Sequence, residues 1–417
     1  MILGWTLFFV FIWLVQFKGI RKSFCIYFVF MLLDTGIPLL PGIATLSFSL
    51  VVLFSAFFFI KRKNYKRGRY PLVQYSVLYA VSMMLSAYFS KLNPHWIFVF
   101  KTLIIELFVP VLFYYFVDNE KTCRYLIRVL VVGVFFVMIN AGLELVSGEA
   151  YIQNIISKFR GDNGASMVGV MRYGMKRCQS VFMHSTSFGY FCATLFSFFL
   201  LSLYPKLVRQ KIMSPRKYWL VLFLLLVGVF LSGTRSAMLL PIFPLVYVYS
   251  LHARKDALWA ILVGSAVMAV AVFLGGETFS TIVDSIVNSD AHGGSSSSMR
   301  EAQFTIALEY WSKSPLLGHG PSSTFDYFVS DNWRLLGAES VWLPILLDYG
   351  ALGCVCYLYG YFSIFRIYSG NKMLLFVFLL AVLLANTMTS VPGLRFNFII
   401  CLGILLERMN QFYLKKG

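Results

Sequence analysis

Charge is what this sequence has least of, and negative charge least of all. Only 13% of its 417 residues are charged, with 18 Asp or Glu against 36 Lys or Arg. Soluble domains carry about 25% charged residues, so this composition cannot furnish a soluble surface. Other absences narrow the class further. Ten-residue segments of alternating apolar and polar residues are missing, which excludes an outer-membrane type of β-barrel. The first apolar run, ILGWTLFFVFIWLVQF, has no basic residue ahead of it and no small-residue cleavage site, so it reads as a retained span. No D-x-D, His-x-x-x-His or P-loop occurs, and no metal site is expected. The seven cysteines lie mostly in or beside apolar runs. Cys354 and Cys356, two apart on a helix, face different ways and make no metal pair, and no disulfide framework is visible.

What is abundant is hydrocarbon. The apolar share is 59%, and runs of bilayer length recur from end to end. The chain reads as a single all-α polytopic membrane domain, residues 1–417, with about 12–14 transmembrane helices. Thirteen spans can be assigned, the first over 2–17 and the last over 396–412. The net charge of +18 would suggest nucleic acid in a soluble protein, but its distribution suits a bilayer instead. Basic clusters fall in every second connection: KGIRK, KRKNYKRGR, KTCRYLIR, KLVRQKIMSPRK, HARK, RIYSGNK and the tail ERMNQFYLKK. They hold 24 of the 36 Lys and Arg, while that side holds 4 of the 18 acidic residues. The positive-inside rule then puts the C-terminus in the cytoplasm and the N-terminus outside.

Two polar segments interrupt this pattern, and both come out on the non-cytoplasmic side. The first is 148–181, GEAYIQNIISKFRGDNGASMVGVMRYGMKRCQS. The second is 277–339, containing the flexible tract HGGSSSS, then MREAQFTIALEYWSKS with apolar residues at helical spacing, then the turn PLLGHG. Short helices are expected in these loops, and function is expected there. Charges within or at the ends of spans are the second signal, since each is costly in hydrocarbon unless it faces a partner or a wet cavity. They are Lys101 and Glu106, five apart and open to mutual neutralisation, with Glu144, Arg235 and Asp348.

Seven arginines fall on the outer side: Arg160, Arg172, Arg177, Arg235, Arg300, Arg334 and Arg395. A guanidinium fork holds its proton and matches carboxylate or phosphate oxygens in pairs. With no metal donor set, an anionic ligand on this face would depend on arginine. A solvated basic rim near lipid headgroups accounts equally for the pattern.

Three local patterns together resemble a known family. GTRSAMLL resembles the arginine-x-x-x-leucine motif that ends a span in O-antigen ligases and in O-antigen or capsular polysaccharide polymerases of the Wzy type. RCQSVFMHSTSFGYFCA resembles the end of their first long outer loop. MREAQFTIALEYWSKSPLLGHGPSSTFDYF, with AESVWLPILLDYGALG after it, resembles the second. The likeness spans roughly 165–365. In the ligases the second loop ends in His-Asn ahead of a Gly-x-x-Gly. Aligning that pair on Gly350 and Gly353 puts Glu339-Ser340 at the His-Asn position, a pair that many polymerases carry.

The resemblance implies a glycosyltransferase that needs no cofactor or metal. It would act on undecaprenyl-diphosphate-linked oligosaccharides, as donor and acceptor, at the outer face of the bacterial cytoplasmic membrane. Polymerisation of repeat units into O-antigen or capsule is expected, with inversion at the anomeric carbon and an optional chain-length regulator as partner. Glu339 becomes the candidate base, although a carboxylate there also suits the positive end of the following helix. Arg235, Arg300 and Arg177 are the candidate diphosphate ligands, and His319, Trp333, Trp311 and His184 the candidate sugar contacts. Two alternatives stay open. A ligase passing the glycan to lipid A core shares the fold, and its mark is a histidine at position 339. A lipid-linked oligosaccharide flippase would show a midplane site between paired repeats, and no internal repeat is seen here.

Overall fold

The computed structural model describes residues 2–33, 37–40, 44–61, 70–90, 92, 96–160, 171–172, 175–202, 212–251, 297–332, 340–387 and 396–414. Long apolar runs become helices because a helix satisfies its own backbone polar groups where no water can. In chain order they are α1 (Ile2–Lys18), α2 (Ile20–Leu32), α3 (Leu46–Lys61), α4 (Val73–Phe89), α5 (Trp96–Phe116) and α6 (Glu120–Ser147). Then come α7 (Tyr151–Arg160), α8 (Ser185–Ser202), α9 (Pro215–Leu231), α10 (Arg235–Leu251) and α11 (Ser297–Ser312). The last three are α12 (Trp342–Ile367), α13 (Lys372–Thr387) and α14 (Phe396–Leu414). Two short antiparallel ribbons, Pro38–Leu40 with Ala44–Thr45 and Met171–Arg172 with Met175–Lys176, are the extended pairs among the described residues.

The chain is an all-α polytopic membrane protein. Helices α5, α6 and α12 are long and apolar enough to cross a bilayer, and shorter apolar helices accompany them. Of the thirteen expected spans, the tenth, over 256–276, lies outside the described residues and the others overlap a helix, although that expected over 24–40 is helical only to Leu32 and extended over Pro38–Leu40. Residues 161–170, 173–174, 277–296 and 333–339 of the two polar segments also lie outside the described residues.

Helix α6 illustrates how the sequence sets the arrangement. Asn119 caps its start by accepting the Thr122 N–H at 2.9 Å, and Gly148 ends it in the left-handed conformation (φ 75°). Val132, Phe136, Ile139, Leu143 and Val146 recur at helical spacing and are 45–89% exposed, a stripe that only lipid can cover. The opposite stripe, including Val134, Val137, Ala141 and Glu144, is buried. With that face α6 packs on α2 and α9; α8 packs on α9 and α10, α10 on α13, and α12 on α4 and α11. Within α5 the helix widens to a π-turn over Ile104–Phe108, which carries Glu106.

Candidate functional site

The end of the first polar segment and the three residues after it, Lys176–His184, are threaded between helix ends. The Cys178 N–H reaches the Leu231 carbonyl at the end of α9, 2.9 Å away. Its neighbour Arg177 follows the same path. Nε donates to the Ser232 carbonyl (3.0 Å), and one Nη donates to Thr234 Oγ1 (3.0 Å) and Thr186 Oγ1 (3.3 Å). Gly233 makes this possible: its φ is +59°, and a β-carbon there would stand 3.0 Å from Arg177 Cγ. The turn Ser232–Thr234 leads straight into α10, whose first residue is Arg235. A half-buried guanidinium is thus fixed at a helix N-terminus, where partial positive charge gathers.

His184 precedes α8 by one residue, outside the helix. Burial lowers its basicity first and the Arg177 charge lowers it further, so it stays uncharged at neutral pH. Arg177 and His184 are therefore neighbours. The side chains of Arg235 and Arg300, the latter in the first turns of α11, are not among those described, and Trp333 and Glu339 lie outside the described residues.

The second polar segment docks on a break in α12. Gly350 departs from helical geometry (φ 65°, ψ −163°), and Gly318 also has positive φ, +70°. The two backbones meet face to face: a β-carbon on Gly350 would lie 2.5 Å from the Leu316 carbonyl carbon, and one on Gly318 would lie 2.5 Å from that of Asp348. This closeness lets four backbone bonds form. Ala351 N–H donates to Pro315 O (2.9 Å), Leu352 N–H to Leu316 O (3.1 Å), His319 N–H to Leu347 O (2.8 Å) and Gly320 N–H to Asp348 O (3.0 Å). Ser86 Oγ on α4 also donates to Asp348 O, at 2.5 Å, and Ser90 Oγ donates to His319 O.

Asp348 has its own task. Its carboxylate accepts the N–H groups of Ser322 (3.0 Å) and Thr324 (2.9 Å) and the hydroxyls of Ser323 (3.0 Å) and Thr324 (2.7 Å). It closes the turn that starts the short π-helical piece Thr324–Phe328. Asp348→Ala leaves the buried Thr324 N–H and the half-buried Ser322 N–H unpaired, a loss on the order of 1–3 kcal/mol for the buried one. A fall in thermal stability of the detergent-purified protein would register it, and a melting curve unchanged from wild type would contradict this role.

His319 Nε2 meets the Tyr310 carbonyl at 2.8 Å, and because a carbonyl only accepts, Nε2 carries the proton. The ring stands edge-on to Phe328, which stacks on Tyr310 at 4.3 Å. Trp311 Nε1 donates to Pro315 O at 2.9 Å. The two expected sugar contacts are thus brought together, with both polar atoms engaged inside their own segment.

Sequence reasoning did not name Ser232, Thr234, Thr186 or the Asp348 turn. The Gly-His-Gly and Asp-Tyr-Gly stretches were a usable signal, since paired glycines mark places where backbones approach.

The end of the undescribed stretch 333–339 is anchored too. Ser340 is buried, its Oγ accepts the Trp342 N–H (3.2 Å), and the Val341 N–H donates to Asn386 O (2.9 Å). The adjacent Ala385 carbonyl accepts from Tyr190 OH (3.1 Å), one turn along α8 from Thr186.

The family model described as O-antigen ligase matches residues 220–358, about a third of the chain. That stretch holds the Ser232–Thr234 turn, both docking glycines and Asp348. Over residues 220–358 the chain is similar to this family, a match consistent with the O-antigen ligase/polymerase superfamily. No curated protein matches the chain. Within the matched region lie Arg235, Arg300, Trp311, His319, Trp333 and Glu339; Arg177 and His184 lie before it, and Arg177 joins it through the bonds to Ser232 and Thr234. The match supports, in general terms, an O-antigen ligase or polymerase type of function.

Proposed function

We propose that the chain is a polysaccharide polymerase that joins undecaprenyl-diphosphate-linked oligosaccharides at the outer face of the cytoplasmic membrane. The acceptor hydroxyl attacks the anomeric carbon of the donor glycan. The bond from that carbon to the diphosphate oxygen breaks, and undecaprenyl diphosphate leaves with both electrons. Glu339 takes the hydroxyl proton, while Arg177 and Arg235, with Arg300, hold the diphosphate as its charge develops. Attack opposite the leaving group inverts the anomeric centre.

The observation that carries this reading is the Arg177 guanidinium pinned by Ser232 and Thr234 at the start of the helix that Arg235 opens. Such a site favours a dianionic leaving group without a metal. Support for Glu339 at the same place comes from its neighbours, since Val341 is tied through α13 to the helix that carries Thr186. Support for a common side of the two polar segments comes from connectivity. Helices α5 and α6 are consecutive membrane-length helices, so the start of α5 and the end of α6 share a side. Lys176 bonds Gly148 just past α6, and His319 bonds Ser90 just before α5. Polymerase is preferred to ligase because Glu-Ser stands at 339–340.

The test is turnover of purified protein with a lipid-linked repeat unit alone. A ladder of longer lipid-linked glycans is the expected product. Transfer only when lipid A core is added would establish the ligase reading, which the description of the matched family favours. Arg235→Lys is expected to lower turnover about 10²-fold or more, since a point charge cannot replace the fork; unchanged turnover would assign Arg235 to the lipid interface.

A further inference from the structure

Glu144 sits one turn before the end of α6, on its buried face, and is 2% exposed. A carboxylate in that position needs strong partners. It finds them in the first polar segment: Oε1 and Oε2 lie 3.2 and 3.0 Å from the Gln179 nitrogen, and Oε2 lies 2.7 Å from the Ser180 nitrogen. These donors are the second and third residues after Arg177.

The bonds hold a conformation that would not hold itself. Ser180 has φ +55°, a left-handed geometry that a residue with a β-carbon keeps only when its surroundings impose it. Glu144 supplies one constraint. Ser180 Oγ adds another on the Val137 carbonyl (2.6 Å), and Gln153 of α7 bonds the Val181 carbonyl. On the other side of the same four residues, Cys178 and Arg177 bond Leu231 and Ser232. Arg177 therefore lies on a short strap fastened at one end to α9 and at the other to Glu144. Releasing the Glu144 end frees the backbone two residues from the guanidinium.

We propose that Glu144 is a positioning residue of the transferase site: by accepting the Gln179 and Ser180 N–H groups it keeps the Arg177 fork at the Ser232–Thr234 turn, where the donor diphosphate binds. The role rests on the transferase reading above. Glu144 touches no substrate in this scheme. Its action is to set the place and spread of the arginine.

The chemistry of the pair predicts graded effects. Glu144→Ala removes both acceptors. Glu144→Gln keeps one oxygen for the Oε2 position, but sets an amide N–H against the Gln179 N–H and so holds the strap less firmly. The experiment uses the full chain in nanodiscs, with a lipid-linked repeat unit for turnover and undecaprenyl diphosphate alone for a binding titration. Glu144→Gln is expected to raise KM for the donor and weaken undecaprenyl diphosphate binding by about tenfold, as when a ligand's orienting partner is removed, while its melting temperature stays near wild type. Combined with Arg177→Lys it should add little, since both changes act through one guanidinium.

Wild-type KM and binding in Glu144→Gln, or losses that multiply fully with those of Arg177→Lys, would overturn the role while leaving the transferase reading in place. A Glu144→Gln protein that only melts earlier, with unchanged KM, would do the same. Absence of any glycan transfer by the wild-type protein would instead remove the transferase reading, and this role with it.

Discussion

Glu339→Gln is expected to abolish glycan polymerisation while the protein still inserts and packs. The exchange keeps size and hydrogen-bonding reach but removes the only basic lone pairs of the group. Positioned proton transfer contributes about 10²–10⁴-fold to such reactions, so turnover in a lipid-linked repeat assay should fall by that order. A free glutamate, with a pKa near ~4.3, is a weak base, and the proposed role requires a site that excludes water and so strengthens it. Undecaprenyl diphosphate binding should survive, because in the proposed scheme the arginines hold that group. A glycan ladder of wild-type length and rate from Glu339→Gln would remove Glu339 as the base. The carboxylate would then be left to its other reading, an acidic group favouring the start of α12 through the helix dipole.

Gly350→Ala should be the most damaging single change to the architecture of the second polar segment. Two costs coincide at that residue. Its φ of 65° with ψ of −163° lies in a region that is essentially glycine-only, a penalty of about 1–3 kcal/mol for any other residue. The added methyl would also point into backbone, at 2.5 Å from the Leu316 carbonyl carbon and 2.6 Å from the Gly318 nitrogen. Backbone cannot swing aside as a flexible side chain can, so the Pro315–Gly320 stretch must lift from α12. The bonds to Ala351 and Leu352 and the Asp348 turn would go with it. A lower melting temperature and faster proteolysis between 313 and 332 are the expected results. Gly142→Ala serves as the comparison: it lies mid-helix in α6 with open space around it, and there alanine should be neutral or stabilise by up to about 1 kcal/mol. Equal behaviour of the two variants would show that the close approach at Gly350 is not what holds the segment.

How far the molecule could be read from its sequence depended on the range of the interaction. Helices α1 to α6 are set by local facts: apolar runs, Asn119 ahead of α6 and Gly148 behind it. Such features act over one or two turns and are visible in the string. The charges that interrupt spans were visible as well. Glu144 and Asp348 stood out as groups that hydrocarbon would not tolerate alone. What each one faced could not be read, because the partners of Glu144 are 35 and 36 residues away and those of Asp348 lie 24 to 26 residues before it. No periodicity spans such a distance. The arginines were legible as a set expected on one side of the membrane, but which of its members stands at a helix mouth was not. Arg177 is brought to Ser232 and Thr234 by a strap 55 residues upstream in sequence, and only packing of α8 and α9 makes them neighbours.

By itself, then, the sequence determined a many-helix membrane chain, where its polar segments fall, and the residue types available for binding an anion. Those follow from composition and short-range pattern, since the exclusion of water and the closing of backbone bonds are decided residue by residue. Tertiary structure alone decided that Gly318 and Gly350 touch, that Asp348 and Glu144 are acceptors for loop backbone, and that Arg177 lies at the start of α10. The physical reason is that a buried carboxylate or a left-handed turn is stable only against partners supplied by other helices, and their approach is a property of the packed whole.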